Sequence, residues 1–579
     1  MGREEAFEVQ LVREGLLDAA QLDRARTEAT RRGISLAEAV SELGYAAVGD
    51  VYRALAAACG LDYVEPSKIA VPDEALAHVP ARFATHYAFV PVAEHNGALV
   101  VAVSDPLNAQ LLDDVRVVLK RRIEPVVATP NEIARATKNL YGVGADTMER
   151  ILIESEAAGE RVSLDLSATT TDLGDDKLDA SIIKFVNEVL SEAIRAGATD
   201  VHIEPFEDEL RVRYRIDGFL HETPTPASIR AFQPAIVSRV KIMANLNIAE
   251  KRVPQDGKIL ARLGSDEYDL RVSVLPTPHG ETLDIRILSR SSTALGLDEL
   301  GFLPDDLALF SGLLERPHGI ILVTGPTGSG KTTTLYAALS ILNRIDLKII
   351  TIEEPIEYQL KGITQMQVMP RIGFGFASGL RHMLRHDPDI MMVGEIRDYE
   401  TAEMAVRASL TGHLVFSTLH TNDAAGTVSR LIDIGVEPFL ISGTMIAAMA
   451  QRLVRRVCEH CAEAYEPEPE ALRDLGVAPG APADARFRRG KGCERCLHTG
   501  YKGRIALFEI LPFSNPIKEL TVQRAAAMEI QRKARQLGVR TLRESGWIRV
   551  CQGITTIEEV LRVTAAADPI EAGEAGAPV

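Results

Sequence analysis

Apolar residues over positions 1 to 60 recur at helical spacing, with short polar breaks between the helical stretches. Segments 11–16 and 39–44 carry similar apolar spacing, which indicates a weak internal duplication. From about residue 86 the pattern changes to strands and helices. It predicts strands at 87–92, 99–103 and 123–127 and helices at 109–120 and 131–140. We therefore predict a helical plus α/β N-terminal domain over residues 1–142.

The next segment, residues 143–180, is rich in Gly, Ser, Thr, Asp and Glu. Such a composition buries too little apolar surface to order itself, so we predict a flexible linker. A second, smaller α/β domain is predicted over residues 181–288, where strand patterns alternate cleanly. It opens with an amphipathic helix whose apolar positions are Ile182, Val186, Val189 and Ile194.

One predicted strand of this domain, residues 210–216, places three arginines on the face opposite its apolar residues. Arg211, Arg213 and Arg215 suit a solvated sheet surface, as most charged strand faces do. They equally suit contact with an anion. Three like charges on one face repel each other, and a bound anion would offset that repulsion. Arg271, on the predicted strand 268–274, carries a weaker version of the same hypothesis.

A short connector at 289–295 precedes a continuous α/β pattern, followed by helices, over residues 296–565. The last residues, 566–579, are mostly Gly, Ala, Pro and Glu, and we predict a disordered tail.

A complete phosphate-binding loop follows the apolar run 320–323 in this last domain. Its residues are Gly325, Pro326, Thr327, Gly328, Ser329, Gly330, Lys331 and Thr332, with Thr333 opening the next predicted helix. Backbone N–H groups of such a turn, together with the positive end of the helix, bind phosphate. Lys331 is predicted to reach the β- and γ-phosphates, and the Thr332 hydroxyl to ligate Mg²⁺. The alternative is a glycine-rich turn that binds nothing.

Two apolar strands downstream end in carboxylates. The run 349–352 is followed by Glu353 and Glu354, and the run 390–393 leads to Glu395. In a parallel sheet, ligands lie at the carboxyl ends of the strands. A carboxylate at that edge orders Mg²⁺ or polarises the attacking water. The alternative is a pair of exposed acidic strand ends.

Two histidines, His413 and His420, flank a further apolar strand at 414–417. A lone histidine is more often structural than catalytic, but we expect both at the ends of a buried strand beside the site. There they would hydrogen-bond a phosphate or relay its loss to a neighbour.

Four of the six cysteines form two pairs with two-residue gaps, Cys458 with Cys461 and Cys493 with Cys496. Doubled pairs of this kind present four thiolates to zinc, so we predict a structural zinc module over residues 455–500. Disulfides are disfavoured in a cytosolic chain, and a redox pair does not usually come doubled. Cys59 and Cys551 have the pattern of ordinary thiols.

The 579 residues are 46% hydrophobic and 25% charged, which is typical of an ordinary globular protein. The net charge of -17 argues against general binding of nucleic acid or anionic membrane. No apolar stretch approaches the roughly 20 residues that cross a bilayer, and the N-terminus does not have the layout of a signal peptide. We expect a cytoplasmic protein.

Four motifs in order resemble the Walker A, Asp, Walker B and His boxes of the secretion ATPase superfamily. They are the phosphate loop and the segments 349–357, 384–398 and 410–420. Segments 200–205 and 249–257, with the two cysteine pairs, look like the assembly ATPases of type II secretion systems and type IV pili. The resemblance covers nearly the whole chain.

This resemblance implies a RecA-like P-loop domain preceded by a PAS-like α/β domain, and a zinc-binding insertion. It implies a homohexamer that uses ATP, Mg²⁺ and Zn²⁺. The motor would act on the cytoplasmic face of the inner membrane, with a platform protein and a cytoplasmic docking protein as partners. Secretion and pilus extension both remain open, and a retraction motor or an ATP-binding module acting on nucleic acid are the rival functions.

Individual residues take roles by the same resemblance. Glu395 matches the catalytic glutamate, and Glu354 stands where many relatives carry an aspartate. Arginines of the preceding domain reach the γ-phosphate in the family, and Arg213 and Arg215 are the candidates here. The N-terminal duplication resembles a domain that binds cyclic-di-GMP in some relatives. The Arg-Leu-Gly positions of those relatives are 6–8 and 35–37 here and hold no arginine, so docking of a protein is the expected role.

Overall fold

The computed structural model describes residues 3–142, 176–289, 295–477 and 485–564. They belong to two compact units, Met1–Ser289 and Arg290–Val579. The predicted linker up to residue 175, most of the connector at 289–295 and the predicted tail at 566–579 lie outside the described residues.

The first unit begins with helices whose ends are set by local capping. Asp18 and Gln21 form a reciprocal capping box at the start of the second helix, and Gly33 ends that helix with φ at +68°. The apolar side chains of Phe7, Leu11 and Val51 are buried in a common core. The four helices are α1 (Arg3–Arg13), α2 (Ala19–Arg32), α3 (Leu36–Glu42) and α4 (Val48–Cys59).

A small three-stranded sheet follows, as the alternating pattern predicts. The strand order is β1-β2-β3, antiparallel between the first two and parallel between the last two. The elements are α5 (Asp73–Ala77), α6 (Ala81–His86), β1 (Phe89–His95), β2 (Ala98–Val103), α7 (Ala109–Leu119), β3 (Arg122–Val127) and α8 (Pro130–Tyr141).

The rest of the first unit is a six-stranded antiparallel sheet in the order β6-β5-β4-β9-β8-β7. Its first helix begins at Asp176, inside the predicted linker, because an acidic composition suits a helix start as well as a linker. Buried Ile182, Val186 and Val189 join the core of the sheet. The elements are α9 (Asp176–Arg195), β4 (Ala198–Pro205), β5 (Leu210–Ile216), β6 (Phe219–Thr223), α10 (Gln233–Met243), β7 (Gln255–Leu263), β8 (Asp266–Thr277) and β9 (Gly280–Ser289).

A seven-stranded sheet in the order β12-β11-β13-β14-β10-β15-β18 is the centre of the second unit. All its pairs are parallel except β15 with β18. Alternate residues of β10 enter different cores, Ile320 on one face and Ile321 on the other, which explains the uninterrupted apolar run. The strands are β10 (Gly319–Thr324), β11 (Ile349–Glu353), β12 (Thr364–Gln367), β13 (Ile390–Val393), β14 (Leu414–Leu419), β15 (Met445–Val457) and β18 (Tyr501–Pro512).

Helices cover both faces of this sheet, and a two-stranded sheet of β16 (Ala462–Ala464) and β17 (Arg488–Gly490) lies near the cysteine pairs. The helices are α11 (Pro304–Leu314), α12 (Lys331–Leu342), α13 (Phe376–Met383), α14 (Tyr399–Leu410), α15 (Gly426–Ile434), α16 (Pro438–Thr444), α17 (Pro469–Leu475), α18 (Asn515–Val522), α19 (Ala527–Gln536), α20 (Leu542–Cys551) and α21 (Ile557–Val563).

Candidate active site

The phosphate loop runs from the end of β10 to the start of α12. Gly325 has φ at +149°, and a Cβ there would lie 2.6 Å from the carbonyl oxygen of Gln451. Gly330 has φ at +86°, and a Cβ there would lie 2.8 Å from the Gln451 side-chain amide. Only glycine fits both places, because the neighbouring strand β15 packs directly behind the loop.

Lys331 folds back over this loop. Its Nζ donates hydrogen bonds to the carbonyl oxygens of Gly325, at 2.8 Å, and Pro326, at 3.0 Å. Burial lowers the pKa of Lys331 to about 8, because it disfavours the charged ammonium. Glu395 opposes this shift and Arg452 adds to it. Thr332 and Thr333 lie half-buried in the first turn of α12.

Glu395 follows β13 at the same edge of the sheet as the loop. Only 13% of its side chain is exposed. One carboxylate oxygen lies 2.5 Å from Arg397 Nη2, and the other lies 3.3 Å from His420 Nε2. The structure therefore brings together Glu395 and His420, two of the predicted site residues, and adds Arg397, to which no role was assigned from the sequence.

Glu354 follows β11, two strands from β14 in the sheet. Its carboxylate lies 3.5 Å from Arg397 Nη1, so the one guanidinium contacts both Glu354 and Glu395. The hydrogen bond to Glu395 raises the pKa of Arg397. The two acidic strand ends predicted from the sequence thus lie close enough to share a cation.

Glu353 has a different environment from Glu354, because its strand position points it into the interior. Thr351 Oγ1 donates a hydrogen bond to its carboxylate at 2.5 Å, and Gln365 Nε2 donates one at 3.1 Å. The Tyr336 hydroxyl of α12 also donates to it. Burial raises the pKa of Glu353, although these donors oppose the shift. Glu353 therefore ties the phosphate-loop helix to β11 and β12.

The two histidines occupy opposite ends of β14. His420 follows its carboxyl end, beside Glu395, whereas His413 precedes its first residue, which pairs with Gly319 at the start of β10. At about 3.3 Å per residue, the strand separates the two by roughly 20 Å. His413 Nδ1 instead lies 2.8 Å from the carbonyl oxygen of Ala408. The position expected for His413 beside the site is wrong. Only the carboxyl end of β14 lies at the edge of the sheet where the phosphate loop is, and His413 lies at the other end.

In the first unit, the arginine face of β5 is matched by carboxylates of the neighbouring strand β4 and of the turn before β5. Arg213 makes a two-pronged contact with Glu204 of β4, at 2.7 and 2.8 Å. Arg215 Nε lies 3.7 Å from Asp200, and Arg211 pairs with Glu209. The repulsion that suggested an external anion is relieved by these acids, which the sequence of β5 alone does not contain.

The four paired cysteines come together, as their spacing predicts. Their Sγ atoms all lie within 4.8 Å of one another, and the closest pairs are 3.7 to 3.8 Å apart. Four thiolates bound tetrahedrally at about 2.3 Å from zinc are separated by about 3.8 Å. The donor set and its spacing therefore fit zinc. Cys59 and Cys551 lie outside this group.

This fold and site define a P-loop ATPase: a phosphate loop at the carboxyl edge of a parallel sheet, with a carboxylate from a neighbouring strand beside it. Comparison with known proteins narrows the class. The family described as "Type II/IV secretion system protein" matches residues 175–562, and the MshEN domain matches residues 59–147.

Three curated relatives extend the comparison. The type IV pilus assembly ATPase PilB of Myxococcus xanthus is 42% identical over 96% of this chain and 98% of that protein. The type II secretion system protein E of Xanthomonas campestris is 42% identical over 95% of this chain and 96% of that protein. The type II secretion system ATPase E of Vibrio cholerae is 45% identical over 79% of this chain and 91% of that protein. The chain belongs to the type II/IV secretion system protein family, and it is an ATPase.

No helix within the described ranges has the length and apolar character needed to cross a membrane.

We expect the substitution Tyr336→Phe to lower the free energy of unfolding by about 1–3 kcal/mol, because it removes a donor from the buried carboxylate of Glu353. The matched control is Tyr399→Phe, since Tyr399 is 50% exposed. Chemical denaturation of both variants at neutral pH measures the difference. Equal stabilities for the two variants would contradict the role of the Glu353 network.

We expect the affinity for ADP to fall as the pH rises from about 7 to 9. The pKa of Lys331 is about 8, and only its ammonium form attracts phosphate. The Lys331→Arg variant keeps its charge over this range and should lose the pH dependence, whatever its absolute affinity. Binding titrations at several pH values measure both. A flat wild-type profile would contradict the assignment of Lys331.

Proposed function

We propose that this protein is an ATP-hydrolysing motor that powers assembly of a type IV pilus or a type II secretion pseudopilus at the inner membrane. The observation that carries the proposal is a complete phosphate loop beside Glu395, in a chain 42% identical to a pilus assembly ATPase over 96% of its length. The equal identity to a type II secretion protein E keeps both machines within the proposal.

ATP and Mg²⁺ fit the residues at the carboxyl edge of the seven-stranded sheet. We assign Lys331 to the β- and γ-phosphates, and Thr332 with Glu354 to Mg²⁺. When bound, Mg²⁺ neutralises charge on the transferred phosphoryl group. Glu395 accepts a proton from the attacking water, and His420 holds the Glu395 carboxylate in place from its other side. His413 has no part in this assignment.

The second unit fits a RecA-like P-loop domain, since β10 lies inside a mostly parallel sheet with the Glu395 strand two places away. The antiparallel sheet over 181–288 fits the smaller PAS-like domain. We assign Arg213 and Arg215 of that domain to the γ-phosphate. The Arg213 guanidinium forms a bidentate pair with Glu204, and the same geometry can bind a phosphate group. In a motor, Arg213 could therefore exchange the Glu204 carboxylate for the γ-phosphate during the ATPase cycle.

The proposed assembly is a homohexamer on the cytoplasmic face of the inner membrane, in contact with a platform protein and a cytoplasmic docking protein. The net charge of -17 favours protein partners over nucleic acid or anionic lipid. For the N-terminal domain we propose docking of a protein in place of cyclic-di-GMP. Position 6 is an alanine and position 35 is the serine that caps α3, so neither offers a guanidinium.

We expect Glu395→Gln to lower ATP turnover by roughly 10²–10⁴-fold while nucleotide binding is retained, because the amide cannot accept the proton of water. The matched control is Glu403→Gln, which removes a half-buried carboxylate paired with Arg407 on α14. Steady-state phosphate release measures turnover. Wild-type turnover in Glu395→Gln would contradict the assignment.

We expect Zn²⁺ at about one equivalent per chain in protein purified without chelator, and a marked loss in Cys493→Ser, because structural zinc sites need all four ligands. Cys551→Ser, outside the cluster, should keep the metal. Elemental analysis measures both. Less than about half an equivalent in the wild-type chain would contradict the zinc site.

We expect ATP turnover to rise when the cytoplasmic domain of the platform protein is added, and to stay unchanged with DNA. An ATPase that acts on a protein machine is expected to hydrolyse ATP faster when its protein partner is bound. The Glu395→Gln variant serves as the background control for contaminating ATPases. Stimulation by DNA alone would contradict the proposed function and favour a nucleic-acid enzyme.

A further inference from the structure

Arg452 is a buried arginine at the carboxyl edge of the seven-stranded sheet. It lies on β15, which pairs in parallel with β10 so that Ala450 is opposite Thr324. Arg452 therefore lies just beyond the last β10 residue, at the level of the phosphate loop. The residue is 8% exposed, and a buried guanidinium is retained only where its donors are used.

One end of the guanidinium faces the phosphate loop. Nη1 donates a hydrogen bond at 3.0 Å to the carbonyl oxygen of Gln451. A Cβ at Gly325 would lie 3.0 Å from this same nitrogen and 2.6 Å from this same carbonyl. The side chain of Gln451 also contacts α12, the helix that follows the phosphate loop. Its Oε1 accepts a hydrogen bond at 2.9 Å from Thr334 Oγ1. Arg452 and Gln451 thus form the wall behind Gly325.

The other end of the guanidinium faces the loop that follows β14. Nη2 donates a hydrogen bond at 2.7 Å to the carbonyl oxygen of Asn422. That residue lies two positions after His420, whose ring contacts Glu395. Residues 421–424 are held at both ends as well: Thr421 N donates to Thr324 Oγ1 at 2.7 Å, and Ala424 N donates to Glu509 at 2.8 Å.

We propose that Arg452 is a positioning residue that joins the phosphate loop to the loop carrying His420, and so couples nucleotide binding to the state of Glu395. The proposal rests on the proposed roles of Lys331, Glu395 and His420. Arginine suits this place because its planar fork donates in two directions at once, whereas lysine is a single point charge. Arg452 also adds positive potential near Lys331.

The test uses the full chain with Arg452→Met, which removes all donors, and Arg452→Lys, which keeps the charge. We expect Arg452→Met to raise KM for ATP about tenfold or more and to lower kcat as well, with Arg452→Lys between it and the wild type. The matched control is Arg456→Met on the same strand, whose side chain is 48% exposed. The control variant should keep the wild-type KM for ATP and the wild-type kcat.

A double-mutant cycle separates positioning from general damage. If Arg452 acts through the loop after β14, Arg452→Lys should cost much less kcat in the His420→Ala background than in the wild type. Equal costs in both backgrounds would overturn the proposal. So would wild-type KM and kcat in Arg452→Lys and Arg452→Met. If Arg452→Met fails to fold, Arg452→Lys and its cycle decide the question alone. An inactive wild-type chain would instead refute the proposed function.

Discussion

The parallel pairing of β10 with β14, and of β14 with β13, is the constraint on which the site depends. It fixes the carboxyl ends of these strands at one edge of the sheet, so the phosphate loop, His420 and Glu395 meet there although they are far apart in the sequence. Both faces of the sheet are covered by apolar cores, which hold the register rigidly. Backbone pairing therefore sets the positions of the strand ends, and the side chains at those ends supply the reactive groups.

Charge at this edge is balanced by shared partners. Arg397 contacts both Glu354 and Glu395, while Lys331 lies over the phosphate loop and Arg452 lies behind Gly325. Burial weakens the hold of Lys331 on its proton, and the Glu395 carboxylate strengthens it. An anionic nucleotide entering between these groups would meet cations already held by backbone carbonyls. Folding has already oriented these cations, so binding requires little further reorganisation, as in other preorganised sites.

Much of this arrangement follows from the sequence, because strand ends are marked by local chemistry. An apolar run followed by glycines or carboxylates predicts the phosphate loop, Glu354 and Glu395 without knowledge of the fold. The sequence also shows which end of a strand a residue occupies: His413 precedes β14 and His420 follows it, so only His420 lies at the ligand edge. Strand neighbours are not readable: the acids facing Arg213, and Arg452 behind Gly325, come from pairings that no local pattern records.

In the proposed assignment, the nucleotide phosphates lie between Lys331 and Glu395 at the carboxyl edge of the seven-stranded sheet. Anomalous diffraction from crystals of the full chain with Mn²⁺ and a non-hydrolysable ATP analogue tests it most directly. We expect a manganese peak within coordination distance of the Thr332 hydroxyl, on the side of Glu354. A nucleotide bound elsewhere, or a manganese peak away from Thr332 beside a bound nucleotide, would contradict it.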